Sequence, residues 1–577
     1  MKLRDRALIG ILSVALVALS IGALAPTLRS SDGEAEPSFD IPPGRSYVEG
    51  VLGRATNASP FGARSAADRA LVSLLFRGLV RLGPGTSIVG DLAEDWAVDE
   101  SRGTWTFHLR PGQRWGDGEP LTALDVAFTI DVLSNPSYTG PGGASWRDVR
   151  ATVIDPLTVE LQLTNPLGGF LQAATQPIAP AHLLAVVPPN ELEEDEFGRQ
   201  PIGSGPFRLI FLGVDRALLA AATPVEGPTG PSRPNFTTPR PTDSLATARA
   251  TARDDVAVPY LSSVELRWYD DLEALLLDWE GGSLDAVSGL QPADARDVAT
   301  ASGARLVRYP GTTLLAATLD LRPRRREFQD PAVRKALLGA IDRDALIARV
   351  LSRLGERADS LIPPSSAMFD AQVSAPVAFD VAAARKALTD AGWKEADTSW
   401  TPRGASEPLV IELLCPEESA NPVAYATAVA VMTSWHEIGL AVRLLPLPAA
   451  ELLGDRLAQG NFQVAIVPLA IGLDPDLYPL LAASQTRSGG SNVAGLQDPD
   501  LDRLLVDART PADVDLRTQA YAKLQERLAA RTYVLPLAFR DEYVVFRNTV
   551  IGPEPRPVGG SGDRYWDVLT WRLADGQ

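Results

Sequence analysis

Cysteine and histidine are almost absent from this sequence of 577 residues. The single cysteine, Cys415, lies in an apolar run that predicts a buried strand, and one cysteine excludes an internal disulfide and a thiolate metal site. The near absence of cysteine also suits a protein that works in an oxidising compartment. The three histidines, His108, His182 and His436, are far apart and form none of the paired patterns of zinc enzymes. A histidine-based metal site or catalytic triad is therefore not expected.

Basic residues are also fewer than acidic ones. Lys and Arg number 54 against 72 Asp and Glu, which gives a net charge of −18. Such an acidic surface repels nucleic acid and anionic lipid, so neither is an expected partner. The chain has no Gly-x-Ser-x-Gly elbow, and its glycine-rich run at 140–143 lacks the lysine of a phosphate-binding loop. The sequence predicts neither an enzyme nor a bound cofactor or metal.

The N-terminus is basic and then apolar. Lys2, Arg4 and Arg6 precede an uncharged apolar run at 7–25. This layout predicts a secretory signal or an N-terminal membrane anchor over residues 1–26. The rest of the chain is then extracytoplasmic, in the periplasm or at the outer face of the cell membrane.

Cleavage of this segment is disfavoured by its last residues. Pro26 follows Ala-Leu-Ala at 23–25, and proline directly after the scissile bond generally blocks cleavage. An uncleaved anchor is therefore favoured, followed by a polar tether over residues 27–44. No cysteine follows the apolar run, which excludes a lipoprotein.

Beyond the tether, patterns typical of strands and of helices alternate. Trp105, Phe107 and Leu109 alternate with polar residues as in a half-buried strand. Thr122 and Asp125 have the spacing of a capping box that begins a helix. The chain is longer than the roughly 250–300 residues that one hydrophobic core supports, so we expect at least two lobes of α/β or mixed α+β class.

Short motifs follow one another in a fixed order from about Tyr47 to the C-terminus. They are Asp-Leu-Ala-Glu-Asp-Trp at 91–96, Thr-Phe-His-Leu-Arg-Pro-Gly at 106–112, Trp-x-Asp-Gly-Glu-Pro-Leu-Thr at 115–122, Pro-Ile-Gly-Ser-Gly-Pro-Phe at 201–207, Asp-Pro-Ala-Val-Arg-Lys-Ala at 330–336, Ala-Gly-Trp at 391–393, Asp-Pro-Asp at 474–476, Asn492, and Leu-Asp-Arg-Leu-Leu at 501–505. No single piece is specific, but the ordered set resembles the family 5 bacterial extracellular solute-binding proteins. That family includes the oligopeptide, dipeptide and nickel binding components of ABC importers.

The resemblance implies a type II periplasmic-binding-protein-like fold, with two hinged lobes and an extra domain in the first lobe. The implied divisions are domain I at 45–75, 200–308 and 535–577, domain II at 76–199, and domain III, the second lobe, at 309–534. Domain I is interrupted at 223–258 by a segment rich in Pro, Thr, Ser, Gly and Ala. We expect that segment to be a disordered insertion, because it has almost no large apolar residues to bury.

The resemblance also implies a function. The chain is expected to be a monomeric substrate-binding protein that closes a cleft between its lobes around a peptide or peptide-like solute, without cofactor, and delivers it to an ABC permease and ATPase complex. Two alternatives stay open at this point. One is an envelope-anchored sensory or adhesive protein that reuses the fold, and the other, disfavoured by the few histidines, is a cell-envelope hydrolase.

The ligand-binding residues implied by the resemblance centre on one loop. In peptide-binding relatives, an aspartate shortly before the Asp-Pro step pairs with the free amino group of the ligand, and here that place is Ile471. A buried ammonium without a counter-charge is costly, so we hypothesise an apolar pocket for a capped, cyclic or uncharged ligand. Asp474 either supplies a charge to the ligand or caps the short helix that follows. The predicted residues are Leu469, Ala470, Ile471, Gly472, Asp474, Tyr478, Gln485, Asn492 and Asp68, the last of which alternatively faces solvent on its helix.

Overall fold

The computed structural model describes residues 45–99, 103–143, 146–222, 259–372, 376–396, 399–487 and 489–574. The predicted signal or anchor at 1–26, the tether at 27–44 and the insertion at 223–258 lie outside the described residues. Within the described ranges, no helix has both the length and the apolar character needed to cross a membrane.

Strands and helices alternate along the chain, as the sequence predicts. The strands are β1 Ser46–Leu52, β2 Val80–Leu82, β3 Ile88–Gly90, β4 Ala93–Asp99, β5 Thr104–Leu109, β6 Val149–Asp155, β7 Thr158–Leu163, β8 Phe207–Leu212, β9 Arg216–Ala221, β10 Ser263–Tyr269, β11 Ala286–Ser288, β12 Ala304–Leu319, β13 Gly355–Arg357, β14 Lys394–Ala396, β15 Ser399–Thr401, β16 Val410–Pro416, β17 Ala441–Leu447, β18 Val464–Ala470, β19 Val534–Arg547, β20 Val550–Ile551 and β21 Arg572–Leu573. The α-helices are α1 Ala66–Leu75, α2 Ala123–Ser134, α3 Phe170–Ala173, α4 Ala181–Leu184, α5 Leu272–Glu280, α6 Pro292–Val298, α7 Pro331–Gly339, α8 Arg343–Val350, α9 Val381–Asp390, α10 Pro422–Glu437, α11 Tyr478–Leu481, α12 Pro499–Arg509 and α13 Val514–Arg531. The predicted mixed α/β class is confirmed.

Local sequence signals predict a small four-stranded sheet and the helix α2 that packs with it. Strands β4, β5, β7 and β6 form a four-stranded sheet in that order. The alternating residues of β5, Trp105, Phe107 and Leu109, are all buried. Thr122 and Asp125 make both hydrogen bonds of the predicted capping box at the start of α2. The apolar face of α2 is buried in the same core as β5.

Within the described residues, one large sheet of eleven strands has the order β17-β16-β18-β12-β19-β11-β1-β10-β9-β8, with β13 also paired to β19. Its two longest strands, β12 and β19, pair antiparallel from Ala304 opposite Arg547 to Thr318 opposite Val534. The register of this pair shifts between Tyr309 and Thr313. A second shift follows between Leu315 and Ala316, so the sheet is continuous but the pairing of its central strands is interrupted near its middle.

Two main hydrophobic cores lie on either side of this interruption. The first contains buried residues between 47 and 309 and again between 544 and 571. The second, as far as the structure describes the chain, contains buried residues between 314 and 539 only. Strands β12 and β19 thus pass from one core to the other at residues 310–312 and 540–541. We call this place the crossing point.

Candidate functional site

Two strands lie unusually close together at the crossing point. A methyl group on Gly311 would overlap the carbonyl oxygen of Arg540 on the neighbouring strand, so the close approach requires glycine. Beside it, the Arg308 guanidinium donates from Nε to the carboxylate of Asp541 at 2.8 Å. Burial raises the pKa of Asp541, and the charge of Arg308 opposes that rise. An ion pair therefore links β12 to β19 at the crossing point.

The predicted ligand loop, residues 469–474, begins at the crossing point. The last residue of β18, Ala470, pairs with Thr313 on β12 and is exposed. The backbone N–H of Ile471 then donates to the carbonyl of Thr312 at 3.3 Å, while its side chain is 6% exposed and packs in the second core. Gly472 turns the chain with φ +84°, a conformation that favours glycine. Ala470 is consequently the exposed residue of the loop, and Leu469, Gly472 and Leu473 are half-buried.

The acidic residues at the end of this loop are paired with arginines. Asp474 binds Arg517 at 2.6 Å, and the Arg517 side chain is 6% exposed. Asp476 binds Arg509 at 2.9 Å. Burial raises the pKa of Asp476, and the nearby Arg509 opposes this. Residues 468–473 contain no ionisable side chain, so the loop offers an uncharged surface.

Tyr478 is held next to the same ion pairs. The Arg509 guanidinium carbon lies 4.6 Å from the centre of the Tyr478 ring, and the Tyr478 hydroxyl lies 2.9 Å from Oγ of Ser484. The backbone N–H of Tyr478 donates to Asp476 Oδ1 at 3.1 Å. The helix has no side-chain cap bond at its N-cap residue, Leu477, and Asp474 does not cap it, because its charge goes to Arg517.

Asn492, in the second core, uses its polar side chain within its own fold. Its amide nitrogen donates to the carbonyls of Leu481, Ala482 and Leu496, and its amide oxygen accepts from the Leu496 N–H. Gln485, which accepts at its carbonyl from the Asn492 N–H, is half-buried. Asn492 thus fixes the shape of the segment that follows the loop.

Asp68 lies in the first core and does not face solvent. The residue is 2% exposed, and its carboxylate accepts from the N–H groups of Thr56, Asn57 and Ser65. With Ser65 it forms a capping box at the start of α1. These hydrogen bonds satisfy the buried carboxylate, so the local fold alone explains why Asp68 is buried.

The structure gathers residues that sequence reasoning missed. Gly168 and Gly169, which precede α3, contact the far end of the ligand loop and the turn after α12. Arg509 and Arg517 approach the same place from α12 and α13. A pair of adjacent glycines between a strand and an aromatic residue is a visible signal, but the sequence does not indicate what the pair packs against. Among the described residues, no three His, Cys, Asp or Glu side chains gather as a metal ion would require.

The family model of bacterial extracellular solute-binding proteins, family 5, matches residues 87–491. The chain belongs to this family. It is 24% identical over 583 residues to the oligopeptide-binding protein AppA of Bacillus subtilis, covering 100% of both chains. It is 22% identical over 505 residues to the glutathione-binding protein GsiB of Salmonella paratyphi A, covering 85% of this chain and 88% of that protein.

The structural comparison gives the same fold. The structure of B. subtilis AppA in complex with a nonapeptide superimposes with a TM-score of 0.70 at 21% identity, covering 93% of this chain and 100% of AppA. The predicted periplasmic-binding-protein-like fold is thereby confirmed. The family is one of extracellular solute-binding proteins, and not an enzyme family.

Proposed function

We propose that this chain is the extracytoplasmic substrate-binding component of an ABC importer, and that it binds a peptide or peptide-like solute by closing a cleft between two lobes. The observation that carries the proposal is the crossing point, where β12 and β19 pass from one core to the other at a break in their register. Two packed bodies joined by strands that pass between them at a break in their pairing are an arrangement that hinge closure uses. The peptide ligands named for AppA and GsiB support the choice of solute.

The lobes of this proposal follow the domains predicted from the sequence. Lobe I consists of 45–75, 76–199, 200–308 and 535–577, and lobe II consists of 309–534. The extent of the two cores supports this division, with two exceptions: Tyr309 packs in the first core, and the apolar residues of 535–539 pack in the second. The cleft lies between the lobes, beside the ligand loop.

The chemistry of the ligand loop favours a solute that carries no charge where it meets the loop. The exposed Ala470 and the half-buried Leu469, Gly472 and Leu473 carry no charge. The two carboxylates that follow, Asp474 and Asp476, already have arginine partners. A ligand ammonium placed here would be desolvated without a counter-charge. We therefore propose a capped, cyclic or uncharged ligand that contacts residues 469–472, with Tyr478 and Gln485 from the following segment as further polar contacts.

The remaining features of the proposal follow from the sequence. The protein is a monomer held at the membrane by residues 1–26 as an uncleaved anchor, is not a lipoprotein, and hands its solute to a permease and ATPase without changing the bonds of that solute. Neither alternative, a sensory or adhesive protein or a hydrolase, gains support from the family match.

Native mass spectrometry of the purified chain tests the proposal. We expect a bound solute that is released intact on denaturation, and calorimetry with that solute should give a one-to-one stoichiometry. Incubation of the solute with excess protein, followed by chromatography, distinguishes binding from hydrolysis. Conversion of the solute to smaller products, or failure to bind any member of a panel of free and N-acetylated tripeptides, would contradict the proposal.

A further inference from the structure

The two cores touch again at the end of the ligand loop opposite the crossing point. The N–H of Gly168, in the segment between β7 and α3, donates to the carbonyl of Arg509 at the end of α12, at 2.8 Å. Ala512, three residues further on, packs against the first core although α12 and α13 on either side of it belong to the second. A segment of the first core therefore rests on the turn between two helices of the second.

This contact has no room for a side chain on either glycine. A methyl group on Gly168 would overlap the carbonyl oxygen of Pro511, and one on Gly169 would overlap the carboxylate of Asp474. Neither glycine has a positive φ, so the backbone itself would accept alanine at both positions. Glycine is required here only by the approach of the other core.

The surface on which the glycines rest is held rigidly. Asp474, which lies over Gly169, is fixed by Arg517 at 2.6 Å. Pro511 and Ala512 connect α12 directly to α13, and both helices are packed through buried leucines. The neighbouring Asp476 is fixed in turn by Arg509, whose carbonyl accepts the hydrogen bond from Gly168. The ion pairs at the end of the ligand loop thus shape the receiving surface.

We infer that Gly168 and Gly169, seated on Asp474 and the 509–512 turn, form the closing contact that holds the two lobes shut. The inference rests on the proposed function, in which the two lobes open and close around a solute. The ligand loop runs from the crossing point at Thr312 to this contact at Asp474. Closure consequently covers the loop from both ends, and Asp474 acts as a positioning residue for the closed form.

A disulfide trap tests the contact without any ligand. A Cβ on residue 169 would lie 2.2 Å from Cγ of Asp474, so Cβ atoms on residues 169 and 474 are no farther apart than the roughly 3.5–4.5 Å that a disulfide spans. The only native thiol, Cys415, is buried and will not compete. We expect the double variant Gly169→Cys with Asp474→Cys to form an internal disulfide under mild oxidation with copper phenanthroline, seen as a shift in gel mobility.

The matched control uses a glycine of the first core outside the contact. A Cβ on Gly116 meets Gly203 and Ile202 at 3.4 and 3.6 Å, which is ordinary van der Waals distance. The pair Gly116→Cys with Asp474→Cys should not cross-link. Adding Gly168→Ala to the trapping pair should slow its cross-linking at least about tenfold, because the closed state is disfavoured, whereas adding Gly116→Ala should leave the rate unchanged.

Hydrogen exchange provides a second measurement that needs no cysteine. In the native chain, peptides containing 166–170 and 509–512 should exchange slowly, and Gly168→Ala should speed both together while Gly116→Ala changes neither. The inference is overturned if the folded trapping pair does not cross-link, or if Gly168→Ala alters neither segment. These outcomes leave the proposed function standing, whereas a chain that cross-links but binds no solute would reject the proposed function and keep the contact.

Discussion

The Arg308 guanidinium lies against the carboxylate of Asp541, with Nε 2.8 Å from Oδ2, where β12 and β19 pass between the two cores. Asp541 is 3% exposed, and its pKa is raised by burial despite the opposing charge of Arg308. The pair therefore ties together the two strands whose bending would open the cleft. Its ionisation makes the stability of the crossing point depend on pH.

Arg308→Met should destabilise the chain more at neutral pH than at low pH. Without Arg308 the pKa of Asp541 rises further, so the folded state holds a proton that the unfolded state has already lost, and stability falls as pH increases. We expect a loss of about 1–2 kcal/mol at pH 7, which disappears below the ordinary Asp value of 3.8. Urea unfolding from pH 3 to 8 measures this difference. The double variant with Asp541→Asn should lose the pH dependence; a pH-independent effect of Arg308→Met would show that the charge pair is not its cause.

Gly311→Ala should strain the crossing point. Its methyl group would overlap the Arg540 carbonyl, and backbone atoms cannot move aside as a flexible side chain does. We expect a loss of about 2 kcal/mol or more in the free energy of unfolding. Gly560→Ala, at a position with open space around the Cβ, is the control and should change little. Equal stability of the two variants in denaturant titrations would show that the strands can separate without cost.

Arg517→Met should loosen the end of the ligand loop. The substitution leaves Asp474 partly buried without its partner, and breaking a buried ion pair in this way costs about 3 kcal/mol. The exposed pair of Lys386 with Asp390 provides the comparison, because its removal in Lys386→Met should change stability little. Thermal unfolding of the two variants checks the difference. A similar melting temperature for both would mean that the Asp474 pair contributes no more than a surface ion pair.

Ala470→Asp should change which ligands the loop accepts. Ala470 is exposed on an uncharged loop, so a carboxylate there would supply the counter-charge that a ligand ammonium lacks. We expect the ratio of affinities for Ala-Ala-Ala over its N-acetyl amide to rise about tenfold or more. Calorimetry with both peptides gives this ratio, and Ala470→Asn, which adds similar bulk without charge, should leave it unchanged. An unaltered ratio in the aspartate variant would place the ligand away from Ala470.

Features with a local signal were predictable from the sequence, and contacts made across the chain were not. The capping box of Thr122 and Asp125 and the alternation along β5 need only neighbours, and both are present as predicted. The ion pair of Asp474 with Arg517 spans 43 positions, and local spacing around Asp474 suggested a cap or a ligand charge instead. The ordered motifs indicated the family, but not how closely Gly168 approaches Pro511.

The burial of Ile471 is another feature that the sequence pattern did not predict, because it depends on packing. Its place before the Asp-Pro step suggested a ligand contact, since only its position along the chain was available. In the folded chain its side chain belongs to the second core, and its exposed neighbour Ala470 is the residue that faces outward. Alternation along a strand shows that two neighbours face opposite sides, but which of them faces the core is known only once the paired strand is known.

The order of the two cores along the chain has a consequence for synthesis. Every buried residue of the second core lies between Leu314 and Phe539, whereas the first core needs a final portion that includes Val544 and Trp571. Since domains fold as units as they become complete, the second lobe has all its parts before the first does. The N-terminal part of the first core can complete its packing only after the last thirty or so residues are synthesised. A chain truncated before Val544 would therefore contain a complete second core and an incomplete first core.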